Sequence, residues 1–365
     1  MCGPVHCHNP IHCIVPPHML RVMALRGDTS VQQMARALLH QNEEVREERA
    51  EHMTGGVVPE DGRPGLFMSS ALARSVPERH VCDRRIFDGE GKAALPGNPV
   101  RSEGDAPTGD AEVDRAYDGA GTVFDLYSQA FGRNSLDGAG IPLTATVHHR
   151  QNYNNAFWNG TQMAYGDGDG KIFRTFTELS VIGHEMSHGV VQYSGGLLYQ
   201  GQSGALNESV ADVFGTMTVQ RKLGQDVYEA DWLVGTGILG PEINGRALRS
   251  MKAPGTAYHD ALLGQDPQPY HMDLYVDTTD DNGGVHINSG IPNHAFYLYC
   301  MYLGGNAWER PGQVWYRALQ QINNPMATFH DWAAETLDAA IALFGAGRHE
   351  QVMLRRAWRL VGIAC

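Results

Sequence analysis

No stretch of this sequence is long and apolar enough to cross a membrane. A membrane-spanning helix needs about 18–20 consecutive apolar residues, and the chain of 365 residues contains no such run. Basic residues are also scarce, because 28 Lys and Arg stand against 41 Asp and Glu and leave a net charge of −13. That sign argues against binding to nucleic acid or to an anionic membrane as the main function.

Cysteines are few and form no recognisable disulfide framework. Three lie within the first 13 residues and the other three are isolated, so no pairing pattern is apparent. The amino terminus also lacks the basic and apolar regions of a secretory signal peptide. We therefore expect export, if it takes place, to follow a non-standard route after cytoplasmic synthesis or to use an upstream segment missing from this sequence. The six cysteines are Cys2, Cys7, Cys13, Cys82, Cys300 and Cys365.

Composition changes along the chain predict its organisation. Residues 1–52 combine a Cys/His-rich tip with a helical pattern, and residues 53–78 are rich in Gly and Pro, as is typical of a linker. Residues 79–175 carry mainly strand patterns, residues 176–196 form one helix, and residues 197–365 carry mainly helical patterns. The separation of strand patterns from helical patterns predicts an α+β fold. The length of 365 residues predicts two domains with a short N-terminal extension, and 42% hydrophobic residues are sufficient for sizeable cores.

Capping and turn residues predict the individual elements. Ser30, Asp110 and Ser203 are the predicted N-caps of three helices. The helix that follows Ser203 spans residues 205–223 and ends at Gly224, and residues 166–170 are predicted to form a hairpin turn. Four further helices are predicted over residues 292–302, 311–322, 328–344 and 349–360.

One helical stretch carries the sequence His184-Glu185-x-x-His188. Residues four apart lie on one face of a helix, so both imidazoles can bind one Zn²⁺ at about 2.0–2.1 Å. Glu185 lies about 100° around the helix, beside such a metal. A capping box formed by Thr175 and Glu178 is predicted to begin this helix. Gly183 and Gly189 lie inside the helix at a cost of about 1 kcal/mol each, which indicates a close approach of another backbone or of a substrate.

A second acidic motif follows far enough along the chain to lie on a separate helix. Glu208 lies twenty residues after His188, which leaves room for a turn and an antiparallel helix. A catalytic zinc site has three protein ligands and one open position, so Glu208 is the candidate third ligand. Asp212 lies one helical turn further and could orient His184 by accepting its N–H. Taken alone, Glu208 is more typical of a solvated surface residue and Asp212 of a partner in an i,i+4 pair on a helix.

Several segments together resemble the thermolysin-like zinc metalloproteases. Between residues 80 and 365 they match that family in its order. Near the amino terminus, Pro16-Pro17-x-x-Leu20 and Ala35-Arg36-x-Leu38 are similar to the short prosegment of the protealysin-like branch. The resemblance implies the two-domain thermolysin-like fold, with the helix of the zinc motif between a β-rich and an α-helical domain. The matching segments are residues 153–160, 166–170, 181–189, 198–199, 203–212, 248–251 and 281–290.

The resemblance also implies a role for each site residue. One catalytic zinc would be held by His184, His188 and Glu208, and Glu185 would activate a zinc-bound water and then pass the proton to the leaving amine. Tyr199 and His286 would stabilise the oxyanion, with Asp281 orienting His286. Asn207 and Asp212 would hold the zinc-binding histidines. The substrate would be bound by Asn155, the Ala156 carbonyl, Arg249, Val181, Leu248, Phe173 and Phe176.

This set of residues implies an endopeptidase that cuts peptides and proteins on the amino side of bulky hydrophobic residues. Residues 1–52 would act as an intramolecular inhibitor of a monomeric, secreted zymogen. The calcium cluster found in many family members would be absent, because a hard cation needs several oxygen ligands. Its matching positions here are Ser180, Val219, Leu233 and Thr236, with only Asp231 retained.

Three alternatives remain open from the sequence. The chain could be a zinc-binding protein without turnover that residues 1–52 mask permanently, although Glu185, Tyr199 and His286 are all present. The Cys13 thiolate could ligate the zinc in the precursor. The Cys/His-rich tip could bind a metal, or it could be an unstructured tail, because its spacing matches no zinc-finger pattern.

Overall fold

The computed structural model describes residues 12–54 and 80–365. The predictions for the Cys/His-rich tip before residue 12, and most of those for the linker at residues 53–78, lie outside the described residues. The predicted α+β organisation is confirmed, because the five longer strands of the larger range all lie between residues 84 and 165, and helices dominate after residue 178.

Residues 12–54, called the N-terminal segment below, form strand β1 (His12–Cys13) and helices α1 (Pro17–Arg26) and α2 (Thr29–Thr54). Pro17 begins α1, as a residue without an N–H does at little cost in the first turn. The predicted N-cap Ser30 is wrong, because it lies inside α2. Asp28 satisfies the helix start instead, since its Oδ1 accepts the N–H of Val31 at 2.9 Å.

The strands of the larger range form one sheet together with β1. They are β2 (Arg84–Asp88), β3 (Asn98–Ser102), β4 (Leu143–Val147), β5 (Ala156–Trp158) and β6 (Met163–Tyr165). The sheet order is β1-β5-β6-β4-β2-β3. Strand β1 pairs antiparallel with β5, with Cys13 opposite Phe157. The N-terminal segment therefore supplies an edge strand of this sheet.

The hairpin predicted at residues 166–170 is wrong. After β6 the chain forms no paired return strand, and Phe173 makes an isolated bridge to Leu239. Asp169 shapes the turn, because its Oδ1 accepts the N–H groups of Lys171, Ile172 and Phe173 at 2.8, 2.8 and 3.1 Å. A carboxylate that binds three successive amides leads the chain away from the sheet towards the next helix.

The first long helix of the larger range, α3 (Ala111–Asp125), begins at Asp110 as predicted, with the Asp110 side chain accepting two backbone N–H groups. Eight-residue or longer helices follow it: α4 (Leu179–Gln192), α5 (Gly201–Leu223), α6 (Asp281–Asn288), α7 (Gly290–Leu303), α8 (Arg310–Gln321), α9 (Phe329–Phe344) and α10 (His349–Leu360). Two strand pairs lie between α5 and α6: β7 (Leu233–Val234) with β8 (Arg249–Ser250), and β9 (His259–Asp260) with β10 (Gly264–Gln265).

The caps of α4 and α5 differ from the prediction. Glu178 is itself the N-cap of α4 and accepts the N–H groups of Ser180 and Val181, so the capping box with Thr175 is wrong. Ser203 lies inside α5, whose N-cap is Gln200. Gly224 ends α5 in the left-handed conformation, as predicted. Helix α6 was not predicted as a helix at all.

Helices α4 and α5 pack backbone to backbone, and glycines make this possible. A Cβ on Gly183 would lie 2.9 Å from the Cα of Gly215, and a Cβ on Gly215 would lie 2.9 Å from the backbone N of His184. Any larger residue at either position would push the helices apart. The close approach predicted from Gly183 is confirmed, and it brings the side chains of the two helices into one buried cluster.

Candidate metal centre and active site

Helices α4 and α5 bring His184, His188 and Glu208 together. One ligand atom from each lies within 4.8 Å of the other two, and all three side chains are fully buried. The two Nε2 atoms are 3.0 Å apart, and Glu208 oxygens lie 3.6 Å from His184 Nε2 and 3.4 Å from His188 Nε2. Among the described residues this is the one group of His, Cys, Asp or Glu with metal-binding geometry.

The hydrogen bonds behind the cluster show what it can bind. His184 Nδ1 donates to Asp212 at 2.8 Å, and His188 Nδ1 donates to Asn207 Oδ1 at 2.8 Å. The neutral imidazoles then present Nε2 lone pairs to each other and to the Glu208 carboxylate. Three acceptors that face one another in a fully buried site need a cation between them. Two imidazoles and one carboxylate fit Zn²⁺ with an open position.

Asp212 is the centre of a buried network behind His184. Its oxygens accept Arg249 Nε and Nη2, both at 2.8 Å, and Asn293 Nδ2 at 2.8 Å. Burial alone would raise the pKa of Asp212, but the charge of Arg249 and the hydrogen bonds from His184 and Arg249 lower it below its usual value. Asp212 therefore stays ionised and fixes the tautomer of His184. Sequence reasoning missed Asn293, since no pattern links α7 to a carboxylate 81 residues earlier.

Glu185 directly follows the metal ligand His184 in α4. Its Oε2 accepts the backbone N–H of Trp158 at 3.1 Å, and its side chain is fully buried. Burial, and then the negative charge of Glu208, raise the pKa of Glu185 well above its usual value. A carboxylate with a raised pKa is a stronger base, which suits a group that must accept a proton from water.

Helix α6 brings His286 next to the cluster, with its Nε2 atom 3.6 Å from a Glu208 oxygen. Asp281 accepts both the backbone N–H of His286 at 3.0 Å and its ring Nδ1–H at 2.7 Å. Three residues just after Asp281 have left-handed backbone, which turns its carboxylate back on His286. Burial lowers the pKa of His286, but the charges of Asp281 and Glu208 outweigh that effect and raise it.

Tyr199 connects His286 to the metal ligands. Its hydroxyl donates to Glu208 and lies 3.1 Å from His286 Nε2. The residues predicted to stabilise an oxyanion, Tyr199 and His286, are thus adjacent and buried beside the cluster.

The predicted substrate-binding groups are in contact with the N-terminal segment. Ile14 N–H donates to the Ala156 carbonyl at 3.3 Å, and the Ile14 carbonyl accepts Arg249 Nη1 at 3.2 Å. Val15 N–H donates to Asn155 Oδ1 at 3.0 Å. The peptide chain therefore uses every polar group that the sequence assigned to a substrate backbone.

The carbonyl of Cys13 completes this chain of contacts, because it lies 3.0 Å from His286 Nε2. The Cys13 thiol does not belong to the cluster of His184, His188 and Glu208 within the described ranges. The structure therefore gives no support to Cys13 as a zinc ligand. Within the described ranges, Cys82, Cys300 and Cys365 are free thiols.

The predicted pocket residues are buried in the same apolar core as Ile14. Val181 lies in the first turn of α4, and Leu248 immediately precedes Arg249. The rings of Phe173 and Phe176 are 5.9 Å apart on the connection from β6 to α4. All four belong with Ile14 to one cluster of buried apolar side chains.

Two of the positions that correspond to the family's calcium cluster, Ser180 and Asp231, make hydrogen bonds within the protein. Ser180 Oγ donates to Glu178 and accepts Gly235 N–H at 2.8 Å. Asp231 Oδ1 accepts the N–H of Leu233 at 3.0 Å. Leu233 is buried, whereas Thr236 is exposed and Val219 is half-buried.

Two family models match the chain in adjacent ranges. Residues 85–192 match the thermolysin metallopeptidase catalytic domain, and residues 195–363 match the thermolysin metallopeptidase alpha-helical domain. The chain belongs to the thermolysin family of metallopeptidases. The predicted family and enzyme class are thereby confirmed, and so is the thermolysin fold. The thermolysin family is zinc-dependent, and the cluster of His184, His188 and Glu208 is compatible with that metal.

Relatives of this thermolysin-family chain extend the likeness to its N-terminal segment. An extracellular metalloprotease of Pectobacterium carotovorum subsp. carotovorum is 43% identical over 357 residues, which are 97% of each chain. Protease PrtS of a Photorhabdus species is 48% identical over 286 residues, 77% of this chain and 76% of that protein. The solved precursor of protealysin, a metalloproteinase from Serratia proteamaculans, is 43% identical, with a TM-score of 0.81 over 97% of this chain and 100% of that one.

Proposed function

We propose that this thermolysin-family protein is a zinc endopeptidase made as a zymogen. The observation that carries the proposal is the seating of Ile14 and Val15 on the groups assigned to a substrate. An inhibitory prosegment must cover the cleft, and the N-terminal segment does so with its backbone. The likeness to a protease precursor along nearly the whole chain supports the same interpretation.

The proposed division of the chain follows from this function. Residues 1–52 are the prosegment and residues 53–78 the processing region. Residues 79–175 are the β-rich half, residues 176–196 contain the active-site helix, and residues 197–365 are the α-helical domain. Cleavage within residues 53–78 would separate the inhibitor from the enzyme.

His184, His188 and Glu208 would hold one catalytic zinc, and Asp212 and Asn207 would hold the two imidazoles. When bound, zinc polarises a carbonyl and makes water a better nucleophile near neutral pH. Glu185 accepts a proton from the attacking water and delivers it to the leaving amide nitrogen. Its burial and its raised pKa support both steps.

His286 and Tyr199 stabilise the charge that develops on the carbonyl oxygen. Asp281 keeps His286 protonated and oriented, because it binds both the ring and the backbone N–H of that residue. Removal of one such donor typically costs about 10²–10³ in kcat. Asp281 acts through His286 and is therefore a positioning residue.

Substrate peptides would bind in extended form to Asn155, Ala156 and Arg249. The residue on the carboxyl side of the cut bond would enter the apolar region around Val181, Leu248, Phe173 and Phe176. Ile14 is fully buried and belongs to the same hydrophobic core as these four residues. Such a pocket favours bulky hydrophobic residues, and discriminates among them by only about 1–3 kcal/mol per methylene.

We further propose that no calcium occupies the cluster around Ser180 and Asp231, since too few oxygen ligands are present there. The negative net charge leaves nucleic acid and anionic membranes as poor partners, and we propose a monomer. No helix among the described residues has the length and hydropathy of a membrane crossing. The naming of a relative as extracellular supports secretion of this protein.

Incubation of the purified full-length protein with zinc tests the proposed function. We expect the wild type to lose residues 1–52 while its activity on casein rises. The Glu185→Ala protein should keep these residues and remain inactive on casein. The exposed Glu242 provides a matched control, because Glu242→Ala should process and cleave like the wild type. A permanently masked zinc-binding protein would bind the metal, keep its N-terminal segment and cleave nothing.

A further inference from the structure

The N-terminal segment runs through the cleft in the direction of a substrate. Three successive backbone groups after Cys13 bind in order: Ile14 N–H to Ala156, Ile14 C=O to Arg249, and Val15 N–H to Asn155. A segment that crossed the cleft in reverse could not pair its donors and acceptors in that order. The direction is also fixed by the antiparallel pairing of β1 with β5.

The peptide bond between Cys13 and Ile14 lies at the catalytic groups themselves. The Cys13 carbonyl oxygen is 3.0 Å from His286 Nε2, on the oxyanion side. On the nitrogen side, Ile14 N–H donates to the Ala156 carbonyl of β5 at 3.3 Å. Glu185 contacts the same strand, because its Oε2 accepts the N–H of Trp158 at 3.1 Å. The carbonyl oxygen of this bond therefore lies at His286, and its nitrogen binds the strand that Glu185 also contacts.

Resting on the proposed function, we propose that the precursor's own Cys13–Ile14 peptide bond is its first substrate. Water adds to the Cys13 carbonyl carbon and gives a proton to Glu185, which passes it to the Ile14 nitrogen as the C–N bond breaks. The products are a fragment of residues 1–13 with a terminal carboxylate, and a chain that begins with the amine of Ile14. The cut occurs within one molecule, because both residues are buried.

This first cut leaves the enzyme latent. The clipped prosegment remains attached through α1, whose residues Met19, Leu20 and Met23 are fully buried. Arg21 also pairs with Asp280 at 2.9 Å, although both side chains are exposed and the pair contributes little. Ile14 and Val15 keep their contacts with the substrate-binding groups after the cut. Activity then requires the second, separate cut in residues 53–78.

Intact mass and amino-terminal sequencing of the zinc-treated precursor test the first cut. We expect fragment 1–13 and a new terminus at Ile14 before the prosegment is lost, at a rate independent of protein concentration. Ile14→Asp should slow the cut by about 100-fold, because a carboxylate enters an apolar pocket. Ile14→Leu should retain it, and Leu25→Asp, at a site 80% exposed on the same segment, should be cut like the wild type.

A second measurement needs no metal and no turnover. In the metal-free precursor, substrate-like seating protects the amides of Ile14 and Val15 from hydrogen exchange. Asn155→Ala should accelerate exchange at Val15 by about five- to tenfold, since one hydrogen bond is lost. Unprotected amides at both positions would overturn the proposed seating.

The outcomes separate this inference from the proposed function. A precursor that processes in residues 53–78 and then digests casein, while Cys13–Ile14 stays intact throughout, overturns the inference alone. A cut whose rate rises in proportion to protein concentration also overturns it, because the bond would then be cut by another molecule. A zinc-loaded protein that cleaves neither itself nor casein would contradict both the proposed function and the inference about the Cys13–Ile14 bond.

Discussion

At the scale of single residues, the site depends on groups that fix the protonation of others. Asp212 holds His184 in the tautomer that leaves Nε2 available, and Asn207 does the same for His188. The difference between them is charge, since Asp212 is also paired with Arg249 and Asn293. A neutral replacement keeps the shape of Asp212 but removes that charge from a buried site.

We predict that Asp212→Asn weakens zinc binding by about 10–100-fold, as changes behind a metal-binding histidine commonly do. The mutant leaves Arg249 with no anionic partner at that position and no longer enforces the tautomer of His184. Competition with a zinc-binding dye measures the affinity. The exposed Asp338 supplies the control, because Asp338→Asn should bind zinc like the wild type. Equal affinity for Asp212→Asn would contradict the assigned role.

At the scale of elements, the contact between helices α4 and α5 decides whether the metal ligands can meet. In an exposed helix, Gly→Ala stabilises by about 1 kcal/mol. In α4 the new methyl group of Gly183→Ala would overlap the backbone of α5, 2.9 Å from the Gly215 Cα. The steric effect outweighs the gain in helix propensity, because a backbone cannot move aside as a side chain can.

We therefore predict that Gly183→Ala lowers the free energy of unfolding by about 1–3 kcal/mol, measured by urea denaturation. Gly121→Ala in α3 is the matched control. Its added methyl would approach only the end of the flexible Arg84 side chain, at 2.6 Å, so that side chain can move away. We expect Gly121→Ala to be neutral or stabilising. A Gly183→Ala protein as stable as the wild type would show that helices α4 and α5 can move apart without lowering the free energy of unfolding.

Helix α1 carries a second element-scale property, a buried histidine. His18 Nε2 lies 3.1 Å from the Tyr258 hydroxyl, and burial lowers the His18 pKa from 6.5 to about 4. Smaller effects oppose one another, because Asp281 raises this pKa while His286, Arg249 and Arg21 lower it. Undocked His18 binds a proton below about pH 6.5, but docked His18 resists protonation until about pH 4.

The contact between the N-terminal segment and the rest of the protein should therefore be most stable above pH 6.5 and lose stability as the pH falls towards 4. At about pH 4 and below, the burial of His18 reduces the stability of the docked segment by about 3 kcal/mol. We predict that His18→Gln flattens this pH dependence, measured by the melting temperature of metal-free Glu185→Ala precursor between pH 7.5 and 5. Parallel curves for the two proteins would show that His18 does not contribute.

At the scale of the whole molecule, the sequence was sufficient for what depends on spacing and insufficient for what depends on distant contacts. The helical period placed His184 next to His188, and the turn after α4 returned Glu208 to them. The caps Glu178 and Gln200, helix α6 with its left-handed turn, and Asn293 were not foreseen. Each depends on backbone geometry or on a partner far along the chain, which periodicity cannot show.

Metal dependence also belongs to the whole molecule, because the zinc ligands join two helices of its core. We predict that removing zinc from the mature enzyme lowers its melting temperature, while a calcium-selective chelator does not. A ligand at 100 times its Kd stabilises by about 2.7 kcal/mol, so tight zinc binding should be visible in this way. Stoichiometric calcium at Ser180 and Asp231, or a large shift with the calcium chelator alone, would contradict the expected absence.

The pairing of β1 with β5 has a further consequence for the mature enzyme. When the prosegment leaves, β5 becomes an edge strand whose backbone groups face an empty groove. Only a stretch of polypeptide that can straighten and pair along that edge will fit, because a helix or a tight turn hides its own amides. The enzyme should therefore attack loops and unfolding regions of its targets, and rigid folded proteins should survive it until heat or partial denaturation loosens them.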